Sequence, residues 1–134
     1  MKKVGKKRKG FLKNESGQSM VELAVALPIL LLLVFGIIDF GWLFYNKMSV
    51  ENASREAARY AIVNSDEPGV AAEVSAIAKE ICMGAEDTLV TLSMSGGNAV
   101  VTVTKQVAVL TPLAGIFVGG QTMEITSTTK MRIH

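Results

Sequence analysis

The apolar positions of the chain fall into three regimes. From Leu23 to Ile38 the sequence reads LAVALPILLLLVFGII, sixteen residues without a charge, and it continues past Asp39 as FGWLFY to Tyr45. A helix from Gln18 to about Gly41 would be ~36 Å long at ~1.5 Å per residue, enough for a ~30 Å hydrocarbon core with some tilt. After Tyr45 the pattern becomes amphipathic. Val50, Ala53, Ala57 and Ala61 recur at spacings of three and four, and Glu51–Arg55 and Glu56–Arg59 are placed to form ion pairs along the helix. This predicts that the first helix continues to about Val63. Its alanine stripe would receive either the chain's own sheet or the helix of another subunit.

Asn64-Ser65-Asp66-Glu67-Pro68-Gly69 breaks that helix and introduces a second, with Ser65 or Asp66 as N-cap and Pro68 near the first turn. Val70, Val74, Ile77 and Ile81 supply its apolar face, and Gly84 is expected to stop it. From Asp87 the period changes to two. Val90, Leu92 and Met94 alternate, Gly96-Gly97-Asn98 forms a tight turn, Val101 and Val103 alternate with Thr102 and Thr104, and Val107 to Leu110 extend the strand. In the last strand Met123, Ile125, Met131 and Ile133 share one parity, while Thr122, Glu124, Thr126, Thr128, Lys130 and Arg132 share the other. Between these strands, Thr111 to Gly120 is apolar yet Gly-rich; Leu113, Ile116 and Phe117 would cover the core, contact a membrane surface or meet a partner. The expected fold is α+β: a long N-terminal helix, membrane-spanning then amphipathic, a second short helix and a three-stranded antiparallel sheet.

Charge gives the apolar helix a direction. Seven basic residues (Lys2, Lys3, Lys6, Lys7, Arg8, Lys9 and Lys13) against Glu15 leave residues 1–17 at +6, and seven basic against eleven acidic residues leave the remainder at −4. Positive residues flank the cytoplasmic end of a span, so the N-terminus is expected in the cytoplasm and everything after Tyr45 outside. A secretory signal peptide has the same basic start, but its apolar region is shorter and ends in small residues; this run ends in Asp39-Phe40-Gly41-Trp42. Trp42 and Tyr45 fall where an interfacial aromatic belt would lie, and Asp39 is expected near the outer headgroups. Pro28 lies within the apolar run, where it predicts a kink or loosened turn, whether tolerated or used in packing. Gly36 and Gly41 do not form a GxxxG pair.

Few residues offer chemistry. Cys82 is the only cysteine and His134 the only histidine, so no intramolecular disulfide and no clustered metal ligands are expected. Cys82 is placed on or near the polar side of the helix end, as an inert thiol in preference to a reactive one. Gly96-Gly97 lacks the following Lys-Ser or Lys-Thr of a phosphate loop. No nucleophile beside a base and no paired-carboxylate pocket is apparent. No cofactor, small-molecule substrate or catalytic activity is expected. The basic leader has no interleaved aromatic residues for base stacking, which sets nucleic acid aside and leaves lipid contact open.

Glu22 is the residue a generic anchor does not explain: a carboxylate at the inner end of the span. It would either snorkel to the inner headgroups or meet a partner. A basic leader ending in Gly17, with Glu22 fifth after it and a long apolar helix following, resembles the class III signal of type IV prepilins and pseudopilins. More closely, residues 16 to 63, through the acidic Asp39 and the Ala-Arg-rich segment Ala53-Ser54-Arg55-Glu56-Ala57-Ala58-Arg59-Tyr60, resemble the TadE-like family of the tight adherence (Flp) pilus machinery. The resemblance implies cleavage by a prepilin peptidase between Gly17 and Gln18. It divides the chain into a leader (1–17), a transmembrane helix (18–41), an extracytoplasmic continuation (42–64) and a small α+β head (65–134). It further implies a minor pilin in the cytoplasmic membrane of a bacterium, or in the pilus, with Glu22 meeting the N-terminal amine of a neighbouring subunit. The implied partners are the peptidase, related pseudopilins, the inner-membrane assembly platform and membrane lipid. Gln18 stands where many type IV pilins have Phe, so methylation of the new amine is not implied. The alternative is an uncleaved single-pass anchor whose outer domain binds a separate partner.

Overall fold

The computed structural model describes residues 15–84, 86–111, 115–116 and 119–133, with the side chains of Glu15 and Ser16 left aside. The basic residues of the leader before Glu15, as well as Leu113, Phe117 and His134, lie outside the described residues. The chain divides into two compact units, residues 1–33 and 34–134.

Helix α1 runs from Glu15 to Val63, through Pro28 and past the predicted start at Gln18. In the first unit its described side chains are exposed from Gln18 onward, and Val25, Ile29 and Leu33 are 64, 67 and 58% accessible. An apolar surface of this size is not left in water, and this helix is long and apolar enough to cross a membrane.

In the second unit the same helix changes its clientele. Val50, Ala53, Ala57, Ala58 and Ala61 are fully buried and share one core with Val74, Ala78, Cys82, Ala99, Val101, Val103, Val107 and Ile125. The alanine stripe is therefore occupied by the chain's own head. Beyond α1, Asn64 N–H and Glu67 N–H donate to Tyr60 O and Asn64 O, a tight turn that uses up the Ser65-Asp66 stretch. Helix α2 then starts later than predicted, at Val70, and ends at Ile81. Its N-cap is Gly69 at φ +98°, a left-handed conformation that glycine adopts freely, and neither Ser65 nor Asp66 caps it. The stop also comes before Gly84: Cys82 closes the helix, and Met83, at φ +48°, takes the left-handed position usually given to glycine. Cys82 keeps the right-handed helical conformation and donates its N–H to Ala78 O at 3.1 Å, so it follows Val74 and Ala78 at intervals of four into the core at 1% exposure, which corrects its placement on the polar side. Glu51 pairs with Lys47 at 3.6 Å and not with Arg55, whereas Glu56 and Arg59 pair as expected at 2.7 Å.

Strands β1 (Thr88–Ser95), β2 (Asn98–Ala108) and β3 (Thr122–Arg132) form an antiparallel sheet in the order β1-β2-β3. Ser95 pairs with Asn98 across the two-residue turn Gly96-Gly97, whose φ values of +58° and +72° are the reason for two glycines there. Ala99, Val101, Val103 and Val107 on β2 face the helices. On β3 the inward parity is only partly apolar: between Ile125 and Met131 it carries Ser127 and Thr129, both within hydrogen-bond distance of Ser54 Oγ on α1, at 3.1 and 2.8 Å. The outward threonines form ladders, Thr102 with Thr128 at 3.1 Å and Thr104 with Thr126 at 3.0 Å. The strand reaches Ala108, short of the predicted Leu110; Val109 N–H still donates to Gln121 O at 2.8 Å. Ile116, in the apolar loop, is 77% exposed and does not cover the core.

Candidate functional site

The residues singled out by sequence fall into two groups, one in each unit. Gly17, Gln18 and Glu22 occupy the first turns of α1. Gln18 and Glu22, four residues apart, lie on one face, and with Val21, Val25, Ala26 and Ile29 they line a shallow surface groove. Gln18 and Glu22 are exposed. A carboxylate at the head of an apolar groove is an arrangement that accepts a cation and packs an aliphatic surface at the same time. Gly17 lies inside the helix, where its missing Cβ makes the turn ~1 kcal/mol less favourable than alanine would.

Asp39, Trp42 and Tyr45 form the second group, on consecutive turns of α1. The sequence placed Asp39 at the headgroups; the structure gives it a partner within the protein. Its side chain is buried at 4% exposure, with Oδ1 accepting from Thr111 N–H at 3.1 Å and Oδ2 accepting from the Thr111 hydroxyl. This pins the end of the β2 extension to the helix. Trp42 and Tyr45 are stacked, with ring centroids 6.2 Å apart at 22°, and both remain partly exposed. Trp42 Nε1–H donates to Ala108 O at 3.1 Å, and the Tyr45 hydroxyl lies 3.6 Å from Met83 Sδ. The two rings thus lean over the place where α1, the end of α2 and the end of β2 meet.

At that meeting point lie two polar residues that the hydrophobic pattern passed over. Lys105 occupies the inward parity of β2, between Val103 and Val107, and Asn46 is buried on α1 at 1% exposure. Lys105 Nζ donates to Asn46 Oδ1 at 3.0 Å and to the Cys82 carbonyl at the end of α2. Asn46 Nδ2 in turn donates to Trp42 O at 2.9 Å. The signal was present in the strand register, because the alternation that buries Ala99, Val101 and Val103 also turns Lys105 inward. Burial pushes the Cys82 thiol above its ordinary pKa, against the opposing pull of the Lys105 charge and of hydrogen bonds from Ser49 and Thr88. A buried thiol with a raised pKa is a poor nucleophile. Among the described residues no group of three or more His, Cys, Asp or Glu side chains is placed to hold a metal ion.

Comparison with known proteins adds one finding. Residues 17–59 match the family described as TadE-like protein, a stretch that opens on Gly17 and takes in Glu22, Asp39, Trp42 and Tyr45. No curated protein and no solved structure matches the chain.

Proposed function

Because residues 17–59 match the TadE-like family, we infer that the chain is a minor pilin or pseudopilin: a structural subunit that helps assemble an adhesive Flp-type pilus or related secretion filament. The observation that carries this reading is the extent of the match, which covers the Gly17–Gln18 junction, Glu22 and the apolar helix as one block. The helix is anchored in the cytoplasmic membrane with the leader inside and the α+β head outside. A prepilin peptidase cuts after Gly17, where the weakened helical turn opens with little cost, and leaves the span in place. The new ammonium of a neighbouring subunit then meets Glu22, neutralising a carboxylate that is expensive in low dielectric and fixing the axial register of the two helices. The head, whose alanine stripe is filled by its own sheet, leaves the apolar surface of residues 18–38 as the part that packs against lipid and then against other subunits.

The test is the N-terminal residue and intact mass of the membrane-extracted protein from a strain with its own prepilin peptidase, beside Gly17→Ala. A start at Gln18 that is lost in the variant is the expected result. An intact Met1 start in the wild type would leave an uncleaved anchor. Glu22→Ala is expected to abolish co-purification with partner subunits; unchanged pilus assembly in that variant would remove the register role.

A further inference from the structure

The cleft beneath Trp42 and Tyr45 has a composition that the anchor role does not require. Its walls are apolar, with Ile38, the last residue of the uncharged run, Leu110 and Met83 among them, and its one charged lining residue is Lys105. The Lys105 ammonium is held by two neutral acceptors, Asn46 Oδ1 and the Cys82 carbonyl, which leaves its third N–H free to take an anion. Among the described residues the ion pairs are Lys47–Glu51 and Glu56–Arg59, so the charge of Lys105 is not matched by a carboxylate of the head. Asn46 lies five residues beyond Gly41, ~7 Å along the helix axis at ~1.5 Å per residue. That is the depth of the headgroup layer, ~5–7 Å thick on each side of a ~30 Å core.

We propose that this cleft is a binding site for one anionic phospholipid of the outer leaflet, its phosphate on Lys105 and its upper acyl chain along Ile38 and Leu110 beneath the stacked rings of Trp42 and Tyr45. The assignment rests on the membrane-anchored reading above. It follows from charge complementarity, from an apolar wall continuous with the spanning sequence, and from a cation fixed at headgroup depth. An exposed lysine would attract an anionic surface without selecting a position. Lys105, held from two sides, binds a phosphate in one place and seats the head on the membrane in a defined orientation.

Trp42 is the only tryptophan of the chain and lines the cleft, so it reports occupancy directly. The full chain is reconstituted into phosphatidylcholine vesicles carrying a few per cent of phosphatidylglycerol brominated on its acyl chains, and quenching of Trp42 is compared with that by brominated phosphatidylcholine. The expected preference for the anionic lipid is about fivefold, the factor that one lysine contributes at a membrane surface, and it saturates at low mole fraction. Lys105→Gln abolishes the preference, Lys105→Arg retains it, and Lys47→Gln, on the exposed face, leaves it in place. Equal quenching by the two lipids, or an unsaturable rise, overturns the site without relying on any variant. Equal losses in Lys47→Gln and Lys105→Gln also overturn it, as does displacement of the brominated lipid by soluble glycerol phosphate, which would mark a soluble-phosphate site. Flotation of the same vesicles separates the two claims: protein that floats but shows no preference refutes the lipid site alone, while protein that does not float refutes the anchor and the site together.

Discussion

Residues 18–38 and 46–61 lie on one helix but obey opposite rules of side-chain size. The first stretch is rich in Leu, Val and Ile, all accessible, and needs only to be apolar; the second buries Val50 and four alanines at zero exposure. Hydrocarbon accepts any aliphatic shape, whereas a sheet packed against a helix fixes the volume at each contact. The polar groups differ as well. The buried part of the second stretch carries Asn46 and Ser54, each bonded across to the sheet, and Asp39 ahead of it is held by Thr111. One secondary structure can therefore be written for two solvents, provided that charge is withheld from residues 23–38 of one half and bulk from the buried face of the other.

The contrast can be broken from either side. Leu31→Lys places a charge near the middle of the apolar stretch and is expected to cost ~3 kcal/mol of insertion, read as loss of the protein from the membrane fraction while the head keeps its melting temperature. Ala57→Leu does the reverse: it overpacks a fully buried site and is expected to destabilise the head by ~1–3 kcal/mol in urea unfolding, with membrane association unchanged. Leu31→Ala, by comparison, should leave the melting of the head where it is.

Smaller effects sharpen the account of the polar seams. Ser54→Ala removes the hydroxyl that meets Ser127 and Thr129 and is expected to cost ~1 kcal/mol, while Ser54→Thr, which keeps the hydroxyl but adds a methyl group at a buried position, separates bonding from packing. The smallest effect is chemical. Burial raises the folded pKa of Cys82 above its unfolded value, so the folded state holds the thiol proton more tightly. That contribution is fully present below the unfolded pKa, ~8.5, and is lost as pH rises through the folded value. Maleimide should therefore react more slowly with Cys82 in the folded head than in urea at neutral pH. Lys105→Gln, which removes a charge that lowers the thiol pKa, should slow the folded reaction further.

The elements set by long, repeated patterns were legible. The apolar run, the end of α1 at Val63, the glycine turn at Gly96-Gly97 and the three strands all follow from periodicity sustained over many residues. The family match over residues 17–59 agrees with a resemblance read from Gly17, Glu22, Asp39 and the Ala-Arg segment. What was not legible depended on single residues at element ends. Ser65 and Asp66 are good N-cap residues, yet an intervening turn moved the start of α2 to Val70 and gave the cap to Gly69. Cys82 shares the face of Val74 and Ala78, the fully buried positions of α2, and a phase drawn through Val70, Ile77 and Ile81 does not point to that face. The contact of Asp39 with Thr111 spans 72 residues of sequence, and nothing local announces it. Lys105 and Asn46 carry no apolar signal of their own, and only the faces they share with buried neighbours turn them inward.

Whether the two halves of α1 meet different surroundings is measured directly by thiol labelling in intact cells. In a Cys82→Ser background, single cysteines are placed by Met20→Cys, Leu31→Cys and Arg55→Cys and exposed to a membrane-impermeant maleimide. Arg55→Cys is expected to label at once, Met20→Cys only after the membrane is permeabilised, and Leu31→Cys in neither condition until the bilayer is dissolved. Ready labelling of Leu31→Cys in intact cells, or of Met20→Cys from outside, would contradict a helix that crosses the membrane with its head on the far side.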